Sequence, residues 1–561
     1  MTRSQIIFVS SLLHIEYSLT ITDYISSLTD LLNTGIHLRL FVLSNYIDFV
    51  TELENAYPDN LKITALNDVS ELTSYKTSSR INYTLPHNRN KNKDTESYIL
   101  QMYSNMDFIQ QVIKSINDNE YTHICWLNSN ITLLFNDKQR TLEYIKILSK
   151  RTINLDGIAI PGCWEYKRSY NTMECIAENV CWRFCGGFFI GNCKSVLHLC
   201  ELYINCFPKF IEKYNKLAWE MNFWAWLEIE QDWNPLWYKA HHNDSIITAL
   251  PAQYFSTNIS MFSGVSLKSY DYPKLSLYNP SSASYLFHEN KHWLITRYVN
   301  YVLGPKCSYS IRDPMRIIKN KHFLSQLDPT TMTPMYYTEL DDSRLGLEQF
   351  NDKISNGLED IRMYVFNGTT RFIATSCGYS PYKYNCMISG DLDLHQCKLA
   401  NGEILHNLDI STTNCEKNWI PIQISLNSEE RFIYKWNPFQ ILYGTTRSLK
   451  QSIGSPLFNK MRGSSTFVET ERGMVGVLHF CEYSLDAYYY YHVLVLLDKN
   501  TFVPIQYSNS FYFNNIGIEY CIGFSIIKNA YYFWISQMDR DPLLLIVDSE
   551  NIPLCFDVKL E

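Results

Sequence analysis

A carboxylate inside an aromatic run is the first feature of this sequence that asks for a chemical explanation. In Leu217-Ala-Trp-Glu-Met-Asn-Phe-Trp-Ala-Trp-Leu-Glu228, Glu220 shares helical spacing with Phe223 and Trp224. An acid so placed needs a buried partner or a task. As a base it would take the proton of a hydroxyl, and as a clamp it would hold that hydroxyl in line. Trp219, Trp224 and Trp226 read equally well as core. Upstream, Tyr121–Leu127 reads as a buried strand ending at Asn128-Ser129-Asn130, whose amide oxygens can coordinate a hard cation but bring no charge. Cys181-Trp-Arg-Phe-Cys-Gly-Gly-Phe-Phe-Ile-Gly191 contains Gly186 and Gly187, which permit close backbone approach to a ligand or simply mark a bend. Trp237-Tyr-Lys-Ala-His-His-Asn-Asp-Ser245 offers His241 or His242 to a metal and Lys239 to a phosphate. Far downstream, Gly357-Leu-Glu-Asp-Ile-Arg-Met-Tyr364 alternates along a strand, so Asp360 and Arg362 are expected on one face. An acid beside a cation suits a sugar hydroxyl or a phosphate.

The elements that must position these residues change character midway. Ile6–Val9 and Leu40–Leu43 are continuous apolar runs, as strands buried on both faces show. Ile21–Leu32 has helical spacing, and Ser97–Ile116 predicts one long amphipathic helix. This order predicts an α/β domain with a mainly parallel sheet over residues 1–255, with ligands beyond the carboxyl ends of its strands. From residue 275 to 561 short alternating strands recur, among them Tyr285–Phe287 with Trp293–Arg297 and Met363–Phe366 with Arg371–Thr375. Turn signals such as His288-Glu-Asn-Lys and Asn367-Gly separate them. Five candidate β-units predict an all-β, five-bladed β-propeller. Residues 256–274, rich in Ser and lacking periodicity, are expected to be the linker.

Composition excludes several classes. A chain of 561 residues is too long for one ordinary core. Its 49 Lys and Arg against 57 Asp and Glu give a net charge of −8, which argues against a nucleic-acid partner. No stretch has the apolar length of a membrane span, and Met1-Thr-Arg-Ser with Ile6–Leu13 reads better as a first strand than as a signal peptide. The 16 Cys form no paired Cys-x-x-Cys units. The cluster Cys163, Cys175, Cys181, Cys185, Cys193, Cys200 and Cys206 reads as small thiols in a reducing compartment rather than a zinc site. The Tyr-, Asn- and Ile-rich composition is that of an AT-rich genome and hints at a parasite, a symbiont or a large DNA virus. The expected location is the cytoplasm, that of the host, or the virion, if the source is viral.

Taken in order, the four motifs of the first half resemble a GT-A glycosyltransferase family associated with giant viruses and some bacteria. Leu85-Pro-His-Asn-Arg-Asn-Lys-Asn-Lys-Asp-Thr95 looks like the same family. The resemblance implies a nucleotide sugar as donor and an oligosaccharide or glycoprotein as acceptor. Arg89, Lys93 and Asp94 would face the donor, and Gly186, Gly187, Trp219 and Asn222 would line the sugar and acceptor pocket. Glu220 would be catalytic. Asn128-Ser-Asn130 stands where that family has Asp-x-Asp, so a Mn²⁺ or Mg²⁺ ion held by Asn130 and His242 would bind weakly or not at all.

The second half resembles five-bladed mannoside phosphorylases and related mannosyltransferases, whose Glu-Asp-Pro-Arg segment Glu359-Asp-Ile-Arg362 matches with Ile361 for Pro. The matching acid of those enzymes, here Asp360, is the proton donor. Arg297, Asp360, Arg362, Lys417, Asn418, Arg462, His479 and Glu519 are expected to converge at a channel mouth. Three readings follow: a hexosyltransferase with a carbohydrate-binding or -processing propeller; a degenerate transferase with a lectin-like propeller; and a propeller with mannoside phosphorylase or mannosyltransferase activity.

Overall fold

The computed structural model describes residues 6–13, 18–116, 120–151, 153–304, 308–382, 384–405, 415–422, 429–443, 447–453, 455–484 and 487–558. Residues Met1–Ser4 of the rejected signal peptide lie outside them. The chain divides into two compact units, Met1–Phe255 and Ser256–Glu561.

Among the described residues, the first unit is built on seven strands: β1 (Ile6–Leu12), β2 (His37–Leu43), β3 (Leu61–Leu66), β4 (His123–Leu127), β5 (Ile158–Gly162), β6 (Phe188–Asn192) and β7 (Leu236–Lys239). They form one sheet in the order β3-β2-β1-β4-β6-β5-β7. Of these seven strands only β6 runs antiparallel, to both β4 and β5; the other pairs among them are parallel. The carboxyl ends of β1, β4, β5 and β7 therefore share one edge with the start of β6, which places residues 128–130, 163, 185–187 and 240–242 near that edge.

Local chemistry sets the helices around this sheet. Thr20 and Asp23 cap the helix Ile21–Leu32 reciprocally. The single long helix expected over Ser97–Ile116 is instead two, Glu96–Tyr103 and Asn105–Ser115. The Ser104 hydroxyl donates to the carbonyl of Leu100, a competing bond that disfavours an unbroken helix. In the helix Glu220–Glu230, every residue from Glu220 to Leu227 is buried, so it is enclosed on all sides. Among the described residues no helix is long and apolar enough to cross a membrane.

The second unit is mostly β, in a propeller-like arrangement. Among the described residues, five mainly antiparallel sheets of four or more strands follow one another, with a two-stranded ribbon besides. Their hairpins turn where the sequence signals them: Glu289 and Asn290, like Asn367 and Gly368, have positive φ, the backbone of a two-residue turn that matches strand twist.

The expected linker is a correction. Thr257–Asn258 pairs with Phe511–Tyr512, and Ser266–Ser269 forms the outer strand against Arg540–Asp548. The hydroxyl of Tyr270 donates to the carbonyl of Met332 and accepts from the indole of Trp534. Ser-Leu-Lys-Ser is too short for its alternation to stand out, and an outer strand needs little apolar surface. Two fragments check this. The fragment 256–561 should unfold cooperatively. The fragment 275–561 exposes the Arg540–Asp548 edge and should aggregate and melt lower. Equal thermal melts of the two would show that the segment is dispensable.

Candidate functional site

Two groups of side chains stand out, one in each unit. In the first unit, Asn128, Asn130, Gly186 and Glu220 line one cleft together with Tyr98 and Gln101. Glu220 opens its helix and is 3% exposed. Its Oε2 has no hydrogen-bond partner among the described residues. A Cβ at Gly186 would fall 2.2 Å from Glu220 Oε1, so only glycine lets the carboxyl lie against this turn. Burial pushes that carboxyl up to about 8, against smaller opposing effects of a hydrogen bond to its own backbone and of Lys93. An acid with a bare oxygen and a pKa near neutrality is suited to proton transfer.

The remaining residues expected here divide by what they touch. Gly187 extends the β4–β6 pairing, its carbonyl accepting from the Asn128 backbone at 3.0 Å. The Asn128 side-chain oxygen accepts from the indole of Trp126 at 3.2 Å. Lys93 is exposed and lies over the ring of Tyr98. Arg89 donates to the carbonyls of Asp94 and Pro86, and Asp94 accepts from the backbone of Asn90; both fold their own loop. Asn222 is wholly enclosed, accepting from the amide of Cys181 and donating to the carbonyls of Ile176 and Asn179. With its polar atoms engaged by backbone, it braces the turn instead of meeting a sugar. Trp219 is buried in the core, its carbonyl held by Tyr103. His242 stands against Cys163, Cys185 and Trp182.

A hard divalent cation does not fit this set. Neither asparagine brings charge, and the Asn128 oxygen is already engaged. Unmodified protein is expected to bind Mn²⁺ weakly or not at all, and Asn128→Asp with Asn130→Asp to strengthen binding. Calorimetry checks this, and micromolar Mn²⁺ affinity in the unmodified protein would contradict it.

In the second unit, Arg297 is the hub. Its guanidinium donates to Asp360 Oδ1 at 3.0 Å and to Asn320 Oδ1 at 2.9 Å, and lies 3.4 Å from Glu359 Oε2. Burial opposes its charge, but Tyr301, Glu359, Asp360 and Asp539 outweigh that and hold its pKa above the ordinary value. Asp539 accepts from the Tyr301 hydroxyl at 3.0 Å. Burial raises the Asp539 carboxyl above the usual range, although Arg297 pulls the other way. Asp360, Asn418 and Asp539 all have left-handed backbone, with φ of 52°, 62° and 52°. Such conformations persist where surrounding contacts hold them.

The expected common face of Asp360 and Arg362 is a second correction. Pairing shifts register between Glu359 and Arg362, and with Asp360 left-handed the simple alternation fails. Asp360 turns to Arg297. Arg362, fully buried, donates to the Ser464 carbonyl at 2.8 Å, to the Tyr520 hydroxyl at 2.7 Å and to Asn418 Oδ1 at 3.4 Å. His479 bonds Ser464 through its ring. Burial, with His492, Arg462 and Arg362 nearby, keeps that ring neutral. Lys417 and Arg462 are exposed. Glu519 does not join the cluster. Its carboxylate accepts from the backbone of Phe513, Asn514 and Asn515 and from the Gln537 amide, which fixes a turn. Asp539 escaped sequence reading because Met538-Asp539 looks like an ordinary hairpin turn. Tyr301 and Tyr520 are each the single tyrosine of a short apolar strand in a chain with 41 of them, and gave no distinguishing signal.

No family model matches the chain, and no curated protein matches its sequence. Among solved structures, it is similar to the β-1,2-mannobiose phosphorylase of Listeria innocua at 12% identity, over 50% of this chain and 93% of that one, with a TM-score of 0.34. A GH130 structure, from a family described as mannoside phosphorylases containing hydrolases of β-1,2-mannosidic linkages, aligns at 12% identity over 50% and 87%, with a TM-score of 0.33. A GH43 β-xylosidase/α-arabinofuranosidase from a compost metagenome aligns at 8% identity over 50% and 94%, with a TM-score of 0.33.

Proposed function

We propose that the second unit is a five-bladed propeller that acts on a glycoside, as a mannoside phosphorylase or a related transferase would. The observation that carries this reading is the set of three carboxylates, Glu359, Asp360 and Asp539, around the buried Arg297. Cleavage of a glycosidic bond uses one carboxyl that holds its proton and a second group that stays anionic. Asp539, whose carboxyl burial raises, fits the donor role. Asp360, ion-paired to Arg297, fits the role of holding a sugar hydroxyl. Arg462 and Lys417 are exposed cations suited to an incoming phosphate. The test is release of sugar phosphate from β-mannosides by the full-length protein in phosphate buffer. Asp539→Asn and Asp360→Asn should each abolish release. Oligosaccharide binding without release, in either phosphate or water, would replace this reading by a lectin-like one.

A second reading, transfer of a hexose from a nucleotide sugar by a GT-A-like first unit, is supported by the bare Glu220 oxygen in the cleft of Asn128 and Asn130. Donor hydrolysis with and without Mn²⁺ tests it. Activity that needs no added metal and disappears in Glu220→Gln is the expected result, and retention of that activity in Glu220→Gln would sink it.

A further inference from the structure

The cysteines of the first unit are expected from sequence to be small buried thiols rather than metal ligands, and two of them are better placed than that. Cys163 Sγ lies 3.9 Å from Cys185 Sγ. His242 stands against both, its Nδ1 3.8 Å from Cys163 Sγ and its Nε2 3.8 Å from Cys185 Sγ. All three ligand atoms lie within 4.8 Å of one another. In a tetrahedral zinc site with metal–sulfur bonds of ~2.3 Å, the sulfurs sit ~3.8 Å apart, and a ligating nitrogen ~3.5 Å from each sulfur. The sulfurs are already at that spacing. His242 is exposed, so turning the imidazole brings one nitrogen to its place without disturbing the core.

Three separate pieces of chain bring these ligands together, and each is pinned. Cys163 follows β5, Cys185 precedes β6, and His242 follows β7. The Cys163 amide donates to the Trp182 carbonyl and the Cys185 amide to the Pro161 carbonyl. A Cβ at Gly162 would fall 1.9 Å from the Arg183 carbonyl oxygen, so glycine there is what allows the two cysteine-bearing segments to close. Arg183 is itself fixed by a buried two-bond pair with Glu228, at 2.8 and 2.7 Å. The Trp182 ring meets His242 edge-on at 4.1 Å.

We propose that Cys163, Cys185 and His242 bind one thiophilic divalent ion of the zinc class, with the fourth position open to water. Two thiolates and an imidazole select zinc over magnesium or manganese. The site shares His242 with the hard-cation site expected beside Asn130, but its other two ligands are Cys163 and Cys185, and they select a different metal class. The ion would clip β5, β6 and β7 at the sheet edge that carries the Gly186–Gly187 turn. It stands whether or not the cleft beside that turn is a transferase.

The test uses full-length protein, purified with reductant and zinc and then desalted. About one zinc per chain is expected by elemental analysis. Cys163→Ser, Cys185→Ser and His242→Ala should each fall below about a tenth of that, while Cys175→Ser and the thiolate-for-imidazole replacement His242→Cys keep it. Cobalt(II) added to stripped, unmodified protein should give a thiolate charge-transfer band, weakened by either serine variant. If a variant fails to fold by circular dichroism, the unmodified protein and His242→Cys still decide. A metal-free unmodified protein that gives no cobalt band overturns the site, as does full zinc content in both serine variants. A Cys163–Cys185 disulfide that persists under the reducing purification overturns it too.

Discussion

Glu220→Gln is expected to raise the thermal midpoint of the protein at pH 8 and to leave it nearly unchanged at pH 4. The carboxyl titrates near 4.5 in the unfolded chain, but burial pushes it up to about 8 in the folded one. Between those values the folded state holds a proton that the unfolded state has lost, so stability falls as pH rises from 4.5 through 8. At 1.36 kcal/mol per pKa unit, the loss across that window is on the order of 3–5 kcal/mol. Glutamine keeps the shape and does not titrate, so the loss disappears. The gain at pH 8 corresponds to roughly 10 °C in a unit of this size. Scanning calorimetry of both proteins at the two pH values reads it. Equal midpoints at pH 8 would mean that the carboxyl is ionised in the folded state at little cost, and Glu220 would lose its claim to a near-neutral base. Greater stability with lost chemistry is the pattern of a group kept for function.

The sequence disclosed what depends on short range. The apolar runs of β1, β2 and β4 follow from burial on both faces, and the turns at Glu289-Asn290 and Asn367-Gly368 from residues that tolerate positive φ. Glu220 was legible because an acid between Trp219 and the run Phe223-Trp-Ala-Trp-Leu227 interrupts an apolar stretch, and Gly186 because a glycine pair before an apolar strand marks a close approach. What escaped is set by partners far along the chain. Asn222 looked like a ligand residue, yet its three bonds go to backbone that only the fold brings near. Glu519 carries the same charge as Asp539, but three amides of one turn claim the first and Arg297 claims the surroundings of the second. The strand Ser266–Ser269 has meaning only beside Arg540–Asp548. Cys163 and Cys185 are 22 residues apart, and Cys163 and His242 79. No local ligand spacing could have joined them; the mixed strand order β6-β5-β7 does.

Arg297→Met is expected to cost about 3–5 kcal/mol at pH 7, the penalty for breaking a buried ion pair by removing one partner. Methionine fills much of the guanidinium's volume, so packing changes little and charge changes fully. Glu359, Asp360 and Asp539 would then face one another with no counter-charge. Asp539 sits above the usual carboxylate range even with Arg297 beside it, and without that cation its carboxyl should rise further. The sign follows. The folded variant would hold protons that the unfolded chain has released, so its deficit should be largest near pH 7 and shrink toward pH 4. Adding Asp539→Asn to the variant removes one of the three carboxyls and should recover part of the loss, a coupling that a double-mutant cycle isolates. Denaturant unfolding of the four proteins at pH 5 and 7 measures it. A deficit independent of pH, or additive effects of the two substitutions, would place the three carboxylates too far from Arg297 to act as one site. The proton donor of the proposed glycoside chemistry would then have to be sought elsewhere in the second unit.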